Sequence, residues 1–308
     1  MKRRHPIACI IIGVLSYCTS QQFDRNQRPI PPQHPGKPLS SGWKKFMVYV
    51  GNETLDHSSD FYSPRAKPRS HSQAGQDQTV VRLFDGKPGF FIDLAANDAV
   101  ALSNTLMLER DYGWDGLCIE ANPNYWSRLA RRRCTVVGAA VGKVDNEIVE
   151  FNFGLAQPGL KVPGEDNGVF GGIVGFDNKP RHVRKERSSL LHTASLLNVL
   201  EKTRAPPEID YLSFDVEGAE LFIAQSFPWE KYTVKLMTVE KPSSNLKNFL
   251  TETAHMVYLM TLQSPHGKFY DELWCHKTFE ADYRLKLKGW NWLPYRPEEE
   301  ETYGSMRD

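Results

Sequence analysis

The sequence predicts an α/β fold, a mostly parallel sheet with helices on both faces, and three observations lead to it. From Gly75 onward, short apolar runs typical of buried strands alternate with segments of helical period. Strand–helix–strand connections are almost always right-handed, so this order gives parallel strands covered by helices. Hydrophobic residues make up 40% of the chain and charged residues 24%, which is ordinary for a globular protein.

The first half of the predicted domain contains three helices and three strands. Gly86 ends the first helix and Gly113 the second, while Asn122 and Pro123 begin the third as N-cap and first helical residue. Apolar runs between these helices predict strands. The helices are expected at 75–86, 103–112 and 124–133, and the strands at 90–95, 117–121 and 135–141.

The second half begins with an extended segment at 147–153 and a Gly-rich, polar stretch at 154–190 that has no clear period. Alternation then resumes. Helices are expected near 194–203, from Gly218 and near 245–256, and strands at 209–216, 234–240, 258–262 and 272–279.

The charge balance excludes several classes of protein. The chain has 308 residues, with 38 Lys and Arg against 37 Asp and Glu, a formal net charge of +1. Proteins that coat nucleic acid or bind membranes through basic patches need a large excess of positive charge, so no nucleic-acid partner is expected. Five cysteines without a CxxC pair exclude a disulfide-dense scaffold or a structural zinc module.

The N-terminus has the three parts of a secretory signal. Basic residues at 2–4 precede an apolar run at 6–18, and the small residues Thr19 and Ser20 follow. The run is shorter than the ~20 residues of a membrane-spanning helix. We therefore expect residues 1–20 to be a signal peptide, or else an uncleaved signal anchor, and the protein to enter the secretory pathway (ER or Golgi lumen, or secretion). Membrane attachment is expected only if the segment stays uncleaved.

Composition divides the rest of the chain. Five prolines make residues 21–45 a Pro-rich linker or stem. Residues 46–71 form a pre-domain segment with an N-glycosylation sequon at Asn52, residues 72–280 the main domain, and residues 281–308 a C-terminal extension with an acidic tail.

Acidic residues end four of the predicted strands. They are Asp93 in the first strand, Glu120 in the second, Asp215 in the fourth, with Glu217 two residues on, and Glu240 in the fifth. Ligands of open α/β sheets bind beyond the carboxyl ends of the strands, and a carboxylate at the end of the second strand can accept both hydroxyls of a ribose. For any one of these acids alone a solvated strand end is the better interpretation, but four at one edge indicate a binding site.

The turn after the first strand excludes a dinucleotide-dependent dehydrogenase. It lacks GxGxxG and carries Ala95, Ala96 and Ala99, whereas a pyrophosphate needs closely approachable glycine backbone. A P-loop is also absent from the sequence.

Five ordered motifs resemble the FkbM-type family of S-adenosylmethionine-dependent methyltransferases, including its Star-like relatives of the secretory pathway. The motifs are Ser72-Gln73-x-Gly75-Gln76-Asp77, the run from Phe91 to Asp98, Ser103-Asn104-Thr105 with Glu109, the run from Gly113 to Pro123, and the run from Ile209 to Glu220. The resemblance covers about Ser72 to Phe279. It implies a class I methyltransferase (Rossmann-like) fold with a seven-stranded sheet whose last strand is antiparallel.

The resemblance also implies roles for individual residues. S-adenosylmethionine is the expected cofactor. Its ribose is expected on Glu120, its amino-acid end near Asp93 and Asn97, and Asp215 or Glu217 where the methyl acceptor enters. The full set of expected cofactor-binding residues is Gln76, Asp93, Ala95, Asn97, Ser103, Asn104, Glu120 and Asn122. Family members usually place glycine where Ala95 and Ala99 stand here, and alanine is harmless there only if φ stays below zero.

Several alternatives remain open at this stage. Asp215 or Glu217 is the candidate general base for methyl transfer to a hydroxyl of a glycan or small molecule, although proximity alone could suffice. Glu217 equally fits a cap on the following helix. No metal is assigned, because a further oxygen ligand beside this pair is not identified in the sequence. The alternative function is a catalytically inactive module with the same fold that acts in trafficking or binding.

Overall fold

The computed structural model describes residues 47–49, 68–153, 171–176, 188–264 and 270–290. The signal segment, the stem at 21–45 and the acidic tail lie outside these residues. None of the helices in the described part is long and apolar enough to cross a membrane.

The described residues contain twelve strands in two sheets. The main sheet has eight strands in the order β1-β4-β3-β2-β9-β10-β12-β11, and the small sheet has four in the order β5-β8-β6-β7. The strands are β1 (Met47–Tyr49), β2 (Phe90–Leu94), β3 (Asp115–Glu120), β4 (Thr135–Gly138), β5 (Ala140–Gly142), β6 (Ile148–Asn152), β7 (Gly172–Ile173), β8 (Ser188–Ser195), β9 (Glu208–Phe214), β10 (Thr233–Glu240), β11 (Met256–Gln263) and β12 (Tyr270–His276).

The strand directions confirm the expected fold class. Strands β4, β3, β2, β9 and β10 pair in parallel, and β12 runs antiparallel between β10 and β11. These seven strands form the sheet that the resemblance implies, with its last strand antiparallel. The eighth strand, β1, comes from the pre-domain segment and pairs antiparallel with β4.

Helices cover both faces of the main sheet, as expected. They are α1 (Gln76–Leu83), α2 (Leu106–Tyr112), α3 (Pro123–Leu129), α4 (Leu196–Thr203), α5 (Glu220–Ala224), α6 (Ser244–Glu252) and α7 (Glu280–Leu287). One apolar core contains residues of α4, α5 and α6, and the other contains residues of α1, α2, α3 and α7. Successive residues of a strand point to opposite faces. Accordingly Phe91 packs in one core and Ile92 in the other.

The helix-end signals act as the sequence predicts. The Asn122 side chain accepts a hydrogen bond from the Asn124 backbone N–H at 3.1 Å and caps α3. Gly113 ends α2 with φ of 70°, a left-handed conformation that glycine adopts without strain.

The single strand expected at 135–141 is wrong, because the chain changes sheets within it. Residues up to Gly138 form β4 of the main sheet, and Ala140 begins β5 of the small sheet. At the change, the Ala139 N–H donates to the Glu120 carbonyl at 3.0 Å. Two strands of the small sheet, β7 and β8, arise at least partly from the stretch at 154–190, where the sequence gave no period. They are held by pairing with β6 rather than by an apolar run of their own.

Candidate active site

One pocket lies at the carboxyl ends of β2, β3, β9 and β10. Asp93, Glu120, Asp215 and Glu240, one from each of these strands or its end, line it together with Glu217. Among the described residues that line it, none is a lysine, arginine or histidine. The convergence of strand-end acids that the parallel topology predicts is therefore present, and it gives the pocket a strongly acidic wall.

The floor of the pocket includes the turn after β2. Ala95 has φ of 64° and Asn97 has φ of 54°, both in the left-handed region. The N–H groups of Ala95 and Ala96 both donate to the Ile119 carbonyl of β3, at 2.9 and 3.1 Å. Alanine replaces glycine without strain only where φ is below zero. Ala95 does not meet this condition, whereas Ala99 keeps φ outside the positive range.

Glu120 organises the turn and the start of α3. Its Oε2 accepts the Asn97 backbone N–H at 2.7 Å, and its Oε1 accepts the Asn122 backbone N–H at 2.6 Å. The side chain is buried, and burial raises the pKa of this carboxyl to about 7, although the two N–H groups act in the opposite direction. Near neutral pH, Glu120 is therefore poised between a neutral acid and a carboxylate.

Asn122 places an unused donor beside Glu120. Its Oδ1 caps α3, while its Nδ2 is buried without a hydrogen-bond partner among the described residues. The residue lines the pocket. A buried amide N–H without a partner costs free energy, so this atom is suited to donate to a bound ligand.

Two hydroxyl groups hydrogen-bond to the Asp93 carboxylate. Thr105 Oγ1 donates to its Oδ2 at 2.5 Å, and the Ser213 hydroxyl also hydrogen-bonds to this carboxylate. Asn104 lines the pocket and donates through Nδ2 to Ser213 Oγ at 2.9 Å. Burial raises the pKa of Asp93, and the nearby Arg132 guanidinium lowers it.

The end of β10 completes an acidic cluster. Oxygen atoms of Asp215, Glu217 and Glu240 lie within 4.8 Å of one another, close enough for all three to hold one metal ion. Burial, with Glu240 and Glu217 next in importance, raises the pKa of Asp215 well above its usual range. Glu240 also pairs with Lys241. The further carboxylate that the sequence did not place beside this pair is therefore Glu240, whose position at a strand end was its only signal.

Comparison with known proteins identifies the family. Residues 93–270, more than half of the chain, match the methyltransferase FkbM domain. The chain belongs to the FkbM methyltransferase family. It is therefore an S-adenosylmethionine-dependent methyltransferase by family, as the five sequence motifs predicted.

Other comparisons add little to this assignment. The precorrin-6y C5,15-methyltransferase of Geobacter metallireducens GS-15 is similar in structure with a TM-score of 0.34 and 10% sequence identity, over 70% of this chain and 93% of that one. No curated protein matches the sequence.

The FkbM pocket gathers nine of the ten residues singled out from the sequence. Those that line it are Gln76, Asp93, Ala95, Asn97, Asn104, Glu120, Asn122, Asp215 and Glu217. Ser103 does not line it. Instead, Ser103 Oγ accepts the N–H groups of Thr105 and Leu106 at 3.3 and 3.1 Å, at the start of α2.

Gln76 and Glu220 form hydrogen bonds with residues near the pocket. Gln76 donates through Nε2 to Asp271 at 2.9 Å and accepts the Ala74 N–H at 2.7 Å. Glu220 Oε1 accepts the N–H groups of Val216 and Gly218, both at 3.1 Å. The backbone that leads into α5 thus hydrogen-bonds to Glu220.

The small sheet contributes a wall that sequence reasoning missed. Phe151 of β6 and Gly172 and Ile173 of β7 line the pocket. A Cβ added at Gly172 would lie 3.5 Å from the Glu217 Cβ. Strand β7 therefore passes directly beside the acidic cluster, so a larger residue at Gly172 would narrow the space next to Glu217.

Proposed function

We propose that this FkbM methyltransferase transfers the methyl group of S-adenosylmethionine to a hydroxyl of a glycan or small-molecule acceptor. The observation that carries the proposal is the convergence of Asp93, Glu120 and Asp215 from adjacent strand ends on one pocket. Strand-end carboxylates of this kind suit a ligand that carries a ribose at one end and positive charge at the other.

The chemistry of the pocket fits this cofactor. Glu120 offers carboxylate oxygens to ribose hydroxyls, and the free Nδ2 of Asn122 beside it offers a donor. Asp93, Asn97, Gln76 and Asn104 would surround the amino-acid end. S-adenosylmethionine bears a sulfonium and an ammonium, so a pocket wall with several carboxylates and no described basic side chain favours it electrostatically.

Methyl transfer to a hydroxyl group releases the hydroxyl proton, and the pocket offers carboxylates that can accept it. When bound, S-adenosylmethionine would supply an electrophilic methyl group to the acceptor oxygen, and its sulfonium would leave as a thioether that keeps the electron pair of the broken carbon–sulfur bond. The hydroxyl proton leaves to Asp215 or Glu217. The raised pKa of Asp215 makes its carboxylate form a stronger base than an ordinary aspartate, which favours Asp215 for this role.

We also propose that the protein works in the secretory pathway. The basic residues and short apolar run at 1–20 support this location, and the Pro-rich stretch at 21–45 would separate the catalytic domain from a membrane if the segment stays uncleaved. Luminal and secreted glycans are then the accessible macromolecular acceptors.

Calorimetry with the full chain tests the cofactor assignment. Wild type should bind S-adenosylmethionine, and Glu120→Ala should weaken binding at least about tenfold, because it removes the ribose acceptor and leaves two N–H groups unpaired. Glu252→Ala, at an exposed end of α6, is the matched control and should bind like wild type. Absence of binding by wild type at millimolar cofactor would refute the proposal.

A further inference from the structure

We propose that Arg132, which lies outside the pocket, is a positioning residue that keeps Asp93 an oriented carboxylate facing the cofactor through a relay of hydroxyl groups. This inference rests on the proposed function for its consequence, cofactor binding. The relay itself, Arg132 to Thr105 to Asp93, is a property of the protein alone.

Arg132 is an unusual arginine because its side chain is 0% exposed. It follows α3 in a run of three arginines, and Arg131 and Arg133 on either side are exposed or partly buried. A buried guanidinium is costly unless its donors are satisfied. Here they reach into one cluster of polar groups behind the pocket.

Three side-chain hydrogen bonds connect Arg132 to the turn and helix that follow β2. Its Nε donates to Glu109 Oε2 at 3.0 Å, its Nη1 to Ser103 Oγ at 3.1 Å, and its Nη2 to Thr105 Oγ1 at 2.9 Å. Glu109 is also 0% exposed and supplies the counter-charge. The ion pair therefore neutralises Arg132, while the hydroxyl groups of Ser103 and Thr105 each accept one hydrogen bond from its Nη atoms.

The hydrogen bond from Arg132 to Thr105 determines where the Thr105 hydroxyl proton points. Arginine has no acceptor and stays protonated, so Arg132 can only donate to Thr105 Oγ1. The Thr105 hydroxyl proton must then point elsewhere, and the acceptor available is Asp93 Oδ2 at 2.5 Å. Thr105 is thereby set as a donor to Asp93, and a group that receives such a bond is favoured as a carboxylate.

A second chain of hydrogen bonds, which includes Ser213 of β9, also ends at Asp93. Asn104 Nδ2 donates to Ser213 Oγ at 2.9 Å, and the Ser213 hydroxyl hydrogen-bonds to Asp93. Two hydroxyl groups thus hydrogen-bond to the carboxylate, and Asp93 also lines the pocket. Its remaining lone pairs are suited to accept from a cationic or N–H group of the cofactor.

Arg132 is the strongest influence that opposes burial at Asp93. Burial raises the pKa of Asp93, and the largest opposing effect is the positive charge of Arg132, followed by the hydrogen bond from Thr105. Without the arginine and its relay, the buried carboxyl would hold its proton at higher pH. A neutral Asp93 would present a weaker acceptor to a positively charged ligand.

The first experiment follows the carboxyl group of Asp93 directly in the cofactor-free full chain. Carbon-13 NMR titration of labelled aspartates gives the midpoint of Asp93 ionisation, and the Asp93→Asn variant assigns the signal. The titration is compared between wild type and Thr105→Val, a variant that keeps the shape of the side chain and leaves the Arg132–Glu109 ion pair in place. The midpoint should rise by about one pH unit or more. A midpoint unchanged by Thr105→Val would overturn the relay.

A double variant tests the charge itself. Arg132→Gln with Glu109→Gln removes both ions, so no buried charge is left without a partner. The Asp93 midpoint should rise here too. The matched control is Arg284→Gln with Glu280→Gln, an ion pair on the solvent side of α7 with N···O 2.8 Å, which should leave the midpoint at the wild-type value. Equal shifts in both double variants would overturn the inference.

Calorimetry then measures the consequence for cofactor binding at pH values on either side of the Asp93 midpoint that the NMR titration finds in Thr105→Val. Relative to wild type at each pH, Thr105→Val should bind S-adenosylmethionine about tenfold more weakly at the low end and recover at the high end, as Asp93 ionises. A loss of cofactor affinity in Thr105→Val that stays constant with pH would indicate a merely structural role for Thr105 and contradict the inference. Failure of wild type to bind would refute the proposed function, while the NMR titration would still decide the relay.

Discussion

The Asn97 backbone N–H donates to Glu120 Oε2 at 2.7 Å and thereby joins the turn after β2 to the end of β3. Asn97 has φ of 54°, a left-handed conformation that asparagine tolerates better than most residues. The hydrogen bond stabilises this turn at the floor of the pocket. A change in the charge of Glu120 is therefore felt both by a bound ribose and by the turn.

Cofactor affinity should rise with pH through the titration of Glu120. Its pKa of about 7 means that it is largely protonated at pH 6 and largely a carboxylate at pH 8. The carboxylate accepts ribose hydroxyls more strongly than the neutral acid does. Calorimetry should show affinity for S-adenosylmethionine increasing across this range in wild type. Glu120→Gln should bind weakly and lose most of that increase, and a variant as pH-dependent as wild type would contradict the assignment.

The cofactor-free protein should lose stability as pH rises from about 4 to 7. Burial raises the pKa of Glu120 from 4.5 to about 7 and that of Asp271 from 3.8 to about 6. A folded-state pKa above the unfolded value means that the folded state binds protons more tightly, so its contribution is complete below the unfolded pKa and is lost as pH rises through the folded one. Urea unfolding at several pH values measures the fall. The Asp271→Asn variant should lose less stability over this pH range, because asparagine has no carboxyl group to titrate. Its side chain can still accept the hydrogen bond from Gln76.

The fold and most of the site follow from the sequence because both depend on local signals. Apolar runs mark β2, β3, β9 and β10, and parallel topology brings their carboxyl ends, with Glu120 and Asp215, to one edge. Features that depend on distant partners were not predictable. The change of sheets at Ala139 lies inside an apolar run with no marker for it. Arg132 is indistinguishable in sequence from its arginine neighbours, because its partner Glu109 lies 23 residues earlier.

Ala95→Gly should stabilise the protein. Alanine at φ of 64° is strained by about 1 kcal/mol or more, whereas glycine adopts this conformation freely. The greater entropy of glycine in the unfolded chain offsets part of this gain, leaving about 0.5 kcal/mol. Denaturant unfolding measures the difference. Ala96→Gly is the control: Ala96 is buried and has no positive φ, so it should lose stability. Destabilisation by Ala95→Gly as large as that of the control would contradict the strain.

The identity of the general base can be decided between Asp215 and Glu217. An acceptor found by screening glycans and small molecules for methyl transfer provides the assay. Asp215→Asn should lower kcat by about 100-fold or more, since general-base catalysis contributes factors of this size. Its affinity for S-adenosylmethionine should stay near that of wild type if Asp215 faces the acceptor. Glu217→Gln is the matched comparison, because Glu217 belongs to the same acidic cluster and lines the same pocket as Asp215. The pH profile of kcat should rise with ionisation of Asp215 in wild type and in Glu217→Gln.

A decrease in kcat of less than about tenfold in both variants would contradict a role for either carboxylate as the base. Proximity of the methyl group and the hydroxyl would then be sufficient for transfer.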